Sequence, residues 1–237
     1  MLNIFDELPK LHTAVADYFV EKANETIEKT GKFTVALTGG SSPAGMYEIV
    51  TTVYKDKVDW SKVYVFWGDE RWVPLNDDRS NAGNAYKNFL DKLPIPADQI
   101  YPMWKVGVTP EAYADEYAAI LEEVLTDGET FDLIFLGMGD DGHTASLFPG
   151  EAVIDETEKK VAAYFLAPQD MYRITLTAPV LNKASNVAFI TYGSKKAPAL
   201  FEVLKGEPNV KKYPSQIVKP DAGSAVWFVD VAAAAKL

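Results

Sequence analysis

The amino-acid sequence predicts a three-layer α/β fold, in which helices flank both faces of a mostly parallel sheet. Short segments that are apolar throughout alternate along the chain with segments of helical periodicity, a pattern typical of parallel sheets buried on both faces. A turn containing glycine follows most of the predicted strands. The length of 237 residues, without an internal repeat or a linker, predicts a single domain over residues 1–237.

The first predicted unit is a helix followed by a strand. Apolar residues recur at three- and four-residue steps over 5–29, which predicts an amphipathic helix that ends at Gly31. Phe33–Leu37 is a short run of β-forming residues and predicts a strand. A turn then leads into a second helix, for which Ser42 is a suitable N-cap and Pro43 a suitable first-turn residue.

The same alternation continues along the rest of the chain. It predicts strands at Val63–Trp67, 131–136, 187–192 and 226–229, with further strands at 160–166 and 172–177. It predicts helices at 110–126, at 195–205 and in a short alanine-rich segment that begins at Asp230.

The turns after the parallel strands are the expected place for a ligand. Ligands bind in such folds at the edge of the sheet where the carboxyl ends of the strands meet. We therefore expect the turns 38–43, 68–72, 137–143 and 193–195 to lie along one edge.

The charge balance excludes several classes of partner. Lys and Arg total 23 against 34 Asp and Glu, so the formal net charge is 23 − 34 = −11. A chain this acidic is unsuited to displacing counterions from nucleic acid or to binding an anionic membrane surface. No apolar run approaches the roughly 18 residues of a membrane span, and no signal peptide is visible. We therefore expect a cytoplasmic protein.

Cysteine, histidine and arginine are absent or scarce in this chain, which limits the kinds of catalytic and binding site it can form. The chain has no cysteine, which excludes disulfides, thiolate nucleophiles and Cys-ligated zinc. It has two histidines, too few for a His-rich metal site. We interpret His12, at the edge of the apolar stripe of the first helix, as structural or exposed. Only three basic residues are arginines, whose guanidinium fork suits carboxylate and phosphate: Arg71, Arg79 and Arg173.

The turn after the first predicted strand contains Gly39, Gly40, Ser41 and Ser42. One interpretation is an anion cradle, in which backbone N–H groups at a helix N-terminus and two hydroxyls face a phosphate. The other is an ordinary strand-to-helix connection, and this segment alone favours neither. It is not a Walker A loop, because no Gly-Lys-Ser/Thr follows.

The turn at 137–143 has the G-x-G-x-x-G spacing of a dinucleotide-binding loop, but Asp140 and Asp141 would place negative charge where a pyrophosphate must lie. No acidic residue ends a second strand about 20 positions later, where a ribose contact is expected. A second interpretation is catalytic, because a carboxylate near His143 can fix the tautomer of a general base. The third is an exposed loop histidine.

Charged residues follow or open other predicted strands. Asp69 and Arg71 come directly after a predicted buried strand. One interpretation is that these side chains meet solvent or a ligand, and the other is that they form a surface ion pair. Arg173 opens a strand, where it is also suited to preventing edge pairing, and Lys195 stands where a helix begins. No G-x-S-x-G elbow occurs, so a covalent nucleophile has little support.

Several of these segments together carry a family resemblance. They are LTGGSSP at 37–43, WGDERWVP at 67–74 followed by Ser80 and Asn81, GMGDDGHTASLFPG at 137–150, RITLT at 173–177, the turn at 193–195 and WFVD at 227–230. In this order and spacing they resemble the 6-phosphogluconolactonases, a family related to glucosamine-6-phosphate deaminase.

The resemblance implies a three-layer Rossmann-like fold of the glucosamine-6-phosphate deaminase/6-phosphogluconolactonase type. It also implies hydrolysis of 6-phosphogluconolactone to 6-phosphogluconate, in the oxidative pentose phosphate pathway, with no cofactor and no metal. We expect a small-molecule sugar-phosphate partner, neither nucleic acid nor membrane, and a monomer or small homo-oligomer.

The resemblance further implies roles for the candidate residues. The phosphate would be held by Gly39, Gly40, Ser41 and Ser42, with charge supplied by Arg173 and Lys195. His143 would activate a water without a covalent intermediate, and Asp141 would orient it. Asp69 and Arg71 would position the ring hydroxyls or the developing oxyanion.

This sequence departs from the family pattern at two places. The deaminase carries a glutamate five residues after the histidine, where this chain has Phe148, which favours a lactonase over an isomerase or deaminase. Ser41 and Ser42 stand where the family often has Arg-Thr or Ser-Thr, and Arg79 receives no role. One alternative function is that of a sugar-phosphate isomerase or deaminase. The other is that of a non-catalytic sugar-phosphate sensor. A sensor that regulates transcription would need a DNA-binding segment, for which this chain has neither the spare length nor the basic charge.

Overall fold

A six-stranded sheet, parallel throughout, forms the centre of the molecule, and a three-stranded antiparallel sheet lies beside it. The computed structural model describes residues 1–126, 128 and 130–237. Its strands are β1 Leu2–Phe5, β2 Phe33–Leu37, β3 Val63–Trp67, β4 Asp69–Arg71, β5 Leu133–Gly137, β6 Val161–Leu166, β7 Met171–Leu176, β8 Asn186–Thr191 and β9 Ser224–Asp230. Its α-helices are α1 Leu8–Thr30, α2 Ala44–Thr52, α3 Asn81–Asn88, α4 Pro110–Val124, α5 Ala178–Lys183 and α6 Ala197–Lys205.

The parallel sheet has the strand order β1-β9-β8-β5-β2-β3, which confirms the predicted fold class. All five residues of β2 are buried, as expected for a strand covered on both faces. From β2 the chain passes through α2 to β3 on one side, whereas β5 lies on the other side and pairs with β8. The connections therefore diverge between β2 and β5, and such a divergence opens a crevice at the carboxyl ends of the strands.

The small sheet has the order β4-β7-β6 and pairs antiparallel. Sequence analysis predicted β6 and β7 but not β4, because β4 consists of the three charged residues of the turn after β3. Its register places Arg71 directly opposite Arg173. Two of the three arginines thus become neighbours through strand pairing.

Most predicted elements are confirmed within a few residues, and three differences have local causes. Residues 2–5 form strand β1, with an exposed and half-buried alternation that the helical interpretation overlooked. Helix α2 begins at Ala44 with Pro43 at its N-cap, and Ser42 makes no capping hydrogen bond. The segment after Asp230 forms turns rather than a helix, since the Asp230 carboxylate accepts hydrogen bonds from both Gly193 and Ala233.

The core beneath the sheet is rich in aromatic rings. Phe19 of α1 is fully buried, and its ring packs against the four rings of Phe33, Trp60, Phe89 and Phe135. Stacked and edge-on pairs of this kind stabilise beyond the area they bury. In the part of the chain that the structure describes, no helix is both long and apolar enough to cross a membrane.

Candidate active site

A polar cavity of about 280 Å³ opens where β2 and β5 end, at the divergence of the sheet. The two glycine turns that follow these strands form much of its wall, and the small antiparallel sheet closes it. The lining residues are Thr38, Gly39, Gly40, Ser41, Ser42, Asp69, Arg71, Asn81, Gly137, Met138, Gly139, His143, Ala145, Phe148, Gln169, Arg173 and Lys196. The turns at 38–43, 68–72 and 137–143 therefore share one edge, as predicted.

The turn after β2 presents backbone N–H groups rather than side-chain contacts. Among the described residues, none accepts a hydrogen bond from the N–H of Gly40, Ser41 or Ser42. Gly40 adopts φ 71°, a left-handed conformation that glycine tolerates best, and no atom lies near a Cβ built on it. The Tyr192 hydroxyl donates to the Ser41 carbonyl oxygen at 2.8 Å and fixes the turn from behind. Because α2 begins directly afterwards, its partial positive charge faces the cavity.

The turn after β5 instead fixes one side chain. The Asp141 carboxylate Oδ1 accepts hydrogen bonds from His143 twice, from the backbone N–H at 3.0 Å and from ring Nδ1 at 2.6 Å. A Cβ on Gly139 would lie 2.1 Å from that ring nitrogen, so only glycine permits the close approach. Among the described residues, the side-chain hydrogen bonds and ion pairs of His143 involve Nδ1 and leave the other ring nitrogen, Nε2, without a partner. The imidazole therefore has one bonded edge and one edge available for chemistry.

The Asp141–His143 pair favours an ionised carboxylate. Burial works to raise the pKa of Asp141, but hydrogen bonds and charge from His143 outweigh that effect and hold the pKa below its ordinary value. With Asp141 acting as acceptor, Nδ1 carries the proton, so the tautomer leaves a lone pair on Nε2. This is the state that a general base requires.

The strands β4 and β7 supply the charged wall of the cavity. Asp69 is 7% exposed, and its Oδ2 accepts from the Ser146 hydroxyl at 2.6 Å and lies 3.8 Å from Arg173 Nη1. Burial lowers the pKa of the Arg173 guanidinium, while Asp69 works in the opposite direction. An arginine remains protonated under such shifts. Arg71 is held by the backbone oxygen of Arg79, to which its Nη1 donates at 2.9 Å.

Glu70 is fully buried and fixes the strand that carries Asp69 and Arg71. Its carboxylate accepts hydrogen bonds from the backbone N–H groups of Arg71, Asn81 and Ala82, each at 2.7 Å, and from the Ser80 hydroxyl at 3.0 Å. Burial raises the pKa of Glu70 to about 7, against the effect of these backbone bonds. The contacts join β4 to the start of α3 and so hold that side of the cavity.

The structure brings together nine of the ten predicted site residues. Asp141 is bonded to cavity-lining His143, and the eight others line the cavity themselves. Lys195 is the exception, since it is exposed and does not line the cavity, whereas Lys196 does. Lys196 Nζ pairs with Asp140 Oδ1 at 2.7 Å on the cavity rim. Arg79 pairs with Asp77 in solvent, which agrees with its having no assigned role.

Among the cavity residues to which sequence reasoning gave no role, besides Lys196, are Asn81, Gln169 and Phe148. Asn81 donates from Nδ2 to the Asp69 carbonyl oxygen at 2.9 Å, and its buried Oδ1 has no partner among the described residues. Gln169 accepts from Arg173 Nη2 at the β6–β7 connection. Phe148 stacks on the His143 ring. In the sequence, Asn81 stood out only as part of the segment that follows WGDERWVP, and no sequence pattern pointed to Gln169.

The described residues contain no group of three or more His, Asp or Glu side chains arranged to hold a metal ion. The cavity offers instead three cationic side chains, a carboxylate and backbone donors. Such a set of groups can bind an anion and activate water.

Comparison with known proteins assigns the chain to a family. The model of the glucosamine-6-phosphate isomerases/6-phosphogluconolactonase family matches residues 6–227. The chain belongs to this family. It is 36% identical to 6-phosphogluconolactonase 3, chloroplastic, of Arabidopsis thaliana, over 100% of this chain and 75% of that protein. It is also 36% identical to the 6-phosphogluconolactonase of a Nostoc species, over 93% and 91% of the two chains.

Solved structures agree with this assignment. The fold superposes on 6-phosphogluconolactonase from Thermotoga maritima with a TM-score of 0.84 at 28% identity, over 97% of this chain and 99% of the other. A monomeric glucosamine-6-phosphate deaminase has a TM-score of 0.85 at 16% identity, over 100% and 99% of the chains, and so shares the fold. The predicted fold type is thereby confirmed.

Proposed function

We propose that this protein hydrolyses 6-phosphogluconolactone to 6-phosphogluconate, the activity for which its relatives are named. The observation that carries the proposal is the pairing of the two glycine turns around one cavity. One turn offers unbonded backbone N–H groups to an anion, and the other holds His143 with Nε2 available. A phosphorylated ester is the substrate that needs both.

The reaction requires one activated water. Nε2 of His143 takes a proton from the water as its oxygen attacks the lactone carbonyl carbon. The bond between that carbon and the ring oxygen then breaks, and the ring oxygen leaves as a hydroxyl with the proton from Nε2. Asp141 stabilises the imidazolium formed in between, since its Oδ1 lies 2.6 Å from Nδ1. A positioned base of this kind contributes about 10²–10⁴ in rate, which suffices for an activated ester.

The phosphate would bind to the turn after β2 and to cationic side chains of the same cavity. Gly40, Ser41 and Ser42 supply backbone N–H groups and hydroxyls, and Arg173 and Lys196 supply charge. We assign to Lys196 the role expected for Lys195, because Lys196 lines the cavity. Asp69 and Arg71 lie nearer the reacting ring in this proposal, where they position hydroxyls or the developing oxyanion.

The negative electrostatic field of the whole chain makes a local cluster of positive charge necessary for binding a phosphorylated substrate. A protein of net charge −11 repels a phosphorylated substrate at long range. Arg71, Arg173 and Lys196 converge on one cavity, together with the start of α2. We further propose that the enzyme acts in the cytoplasm, in the oxidative pentose phosphate pathway, as a monomer or small homo-oligomer.

The lactonase proposal is tested by following acid release from 6-phosphogluconolactone above the spontaneous rate. The wild-type protein is expected to accelerate hydrolysis, and His143→Ala to lower kcat/KM by about 10²–10⁴. Circular dichroism verifies the fold of the variant. Activity of the variant within a few-fold of wild type would show that His143 is not the base.

The phosphate assignment is tested with two substrates. Arg173→Ala should raise KM for 6-phosphogluconolactone about 10–100-fold, the effect of losing a hydrogen bond to a charged group. It should change KM for unphosphorylated gluconolactone much less. Arg79→Ala is the matched control, since Arg79 is exposed and paired with Asp77 outside the cavity. Equal losses on both substrates would refute the phosphate role.

A further inference from the structure

Phe148 contacts both the base and the anion anchor of the proposed lactonase site. Its ring stacks on the His143 ring with 3.9 Å between centroids and 24° between planes. The guanidinium carbon of Arg173 lies 5.5 Å from the centroid of the same ring. Hydrogen bonds join neither residue to Phe148, so these contacts act through packing and the ring's electrostatics alone.

The His143 imidazole needs a second restraint besides its hydrogen bond to Asp141. That bond fixes the position of Nδ1, and Gly139 lies against the same nitrogen. Both contacts lie at one edge of the ring, so small coupled rotations about the two side-chain torsions can still tilt the opposite edge, which carries Nε2. A ring stacked on its face removes this tilt and so sets the direction of Nε2. Phe148 is the described residue that occupies this face.

The backbone before Phe148 is built to hold it in place. Ala145 adopts φ 46°, which is rare for a residue with a Cβ, and the Leu147 N–H donates to the Thr144 carbonyl oxygen at 2.9 Å to close a turn. Leu147 is fully buried beside it. The turn costs conformational energy and delivers Phe148 to the cavity wall, where it is 9% exposed.

We propose that Phe148 is a positioning residue of the reaction, which aims Nε2 of His143 and supports Arg173 through one aromatic ring. The inference rests on the proposed lactonase function and assigns a role that hydrogen bonding does not reveal. A small misplacement of a catalytic group costs about 10²-fold in rate, so the removal of the ring should affect kcat.

The experiment compares Phe148→Leu, which removes the ring, with Phe148→Tyr, which keeps it. Phe165→Leu is the matched control, because Phe165 is 46% exposed on β6 and lies outside the cavity. Phe148→Leu is expected to lower kcat about 10–100-fold and to raise KM for the phosphorylated lactone. Phe148→Tyr is expected to retain kcat within a few-fold of wild type, and Phe165→Leu to change neither constant.

Proton NMR tests the ring stack directly and independently of activity, whereas the kcat retained in Phe148→Tyr tests the positioning role. The chain has two histidines, so the His143→Ala spectrum assigns the ring signals of His143. In wild type these signals should lie upfield because of the Phe148 ring current and show cross-relaxation to Phe148 protons. In Phe148→Leu they should move downfield, and in Phe148→Tyr they should remain.

Each unfavourable outcome has a distinct meaning. A wild-type protein that does not hydrolyse the lactone overturns the proposed function and this inference together. An active wild type with kcat unchanged in Phe148→Leu, or equally low in Phe148→Tyr, overturns this inference alone. If Phe148→Leu does not fold, the wild-type spectrum still decides, since the absence of cross-relaxation between the two rings overturns the stack.

Discussion

The turns after β2 and β5 are both glycine-rich and meet in one cavity, but they use glycine for opposite reasons. Gly40 has open space around it and needs its left-handed φ of 71°. Gly139 has no room for a Cβ, since a Cβ there would lie 2.1 Å from His143 Nδ1. The first turn therefore presents bare backbone, whereas the second makes room for a fixed side chain.

The bonding of the two turns shows the same contrast. Within the second turn, Gly139 donates to the His143 carbonyl oxygen at 2.8 Å and Gly142 to the Gly139 carbonyl oxygen at 3.1 Å. In the described residues, the N–H groups of Gly40, Ser41 and Ser42 have no such acceptors. A turn that binds an anion must leave its donors open, and a turn that aims a base must satisfy its own. Substitutions at equivalent glycines should therefore have different consequences.

The largest effect is expected from Gly139→Ala. The added Cβ would overlap His143 Nδ1 and lie 2.5 Å from Asp141 Oδ1, so the pair must separate. We expect kcat to fall about 10²-fold, with a smaller change in KM, measured by steady-state hydrolysis. Gly68→Ala is the control, because its Cβ would meet its nearest atom at 3.6 Å, an ordinary contact. A kcat for Gly139→Ala close to the control would contradict the account of this turn.

A smaller effect, of a different kind, is expected from Gly40→Ala. No clash arises, but a left-handed conformation costs a residue with a Cβ about 1–2 kcal/mol. We expect a loss of stability of that size and a rise of about fivefold or more in KM for the phosphorylated lactone, with kcat little changed. Gly107→Ala carries the same cost at φ 76° in open space outside the cavity. An equal KM for the two variants would argue against the anion cradle.

The smallest effect concerns the pH dependence of stability. The pKa of Asp141 is lowered from 3.8 by folding, so its ionised form contributes stability above that value. This contribution is lost as the pH falls through the lower pKa of the folded state. Because the pair is partly exposed, we expect less than about 1 kcal/mol.

Urea unfolding of wild type and Asp141→Asn at pH 7 and near pH 3 measures this difference. The free energies of unfolding should differ at pH 7 and converge at acid pH. A difference that grows on acidification would have the wrong sign for a lowered carboxyl pKa.

Local patterns predicted much of the fold and part of the site. The buried strands and the turns after them were predictable from short apolar segments and from the glycine and proline residues between those segments, because these signals depend only on neighbours in the chain. The Asp141–His143 contact was also predictable, because two residues on one tight turn have few ways to separate. Strand β4 was not, since DER has no strand pattern and pairs only because β7 lies beside it.

Sequence alone determined the fold class, the edge of the sheet where the candidate site lies and the local pairing of Asp141 with His143. The tertiary structure alone decided that Arg71 faces Arg173 through strand register, that Lys196 rather than Lys195 lines the cavity and that Phe148 stacks on His143. The physical reason is the range of the interactions. Strand and turn formation are set by a few consecutive residues, whereas strand register, the choice between two neighbouring lysines and the packing of a ring depend on contacts between distant segments.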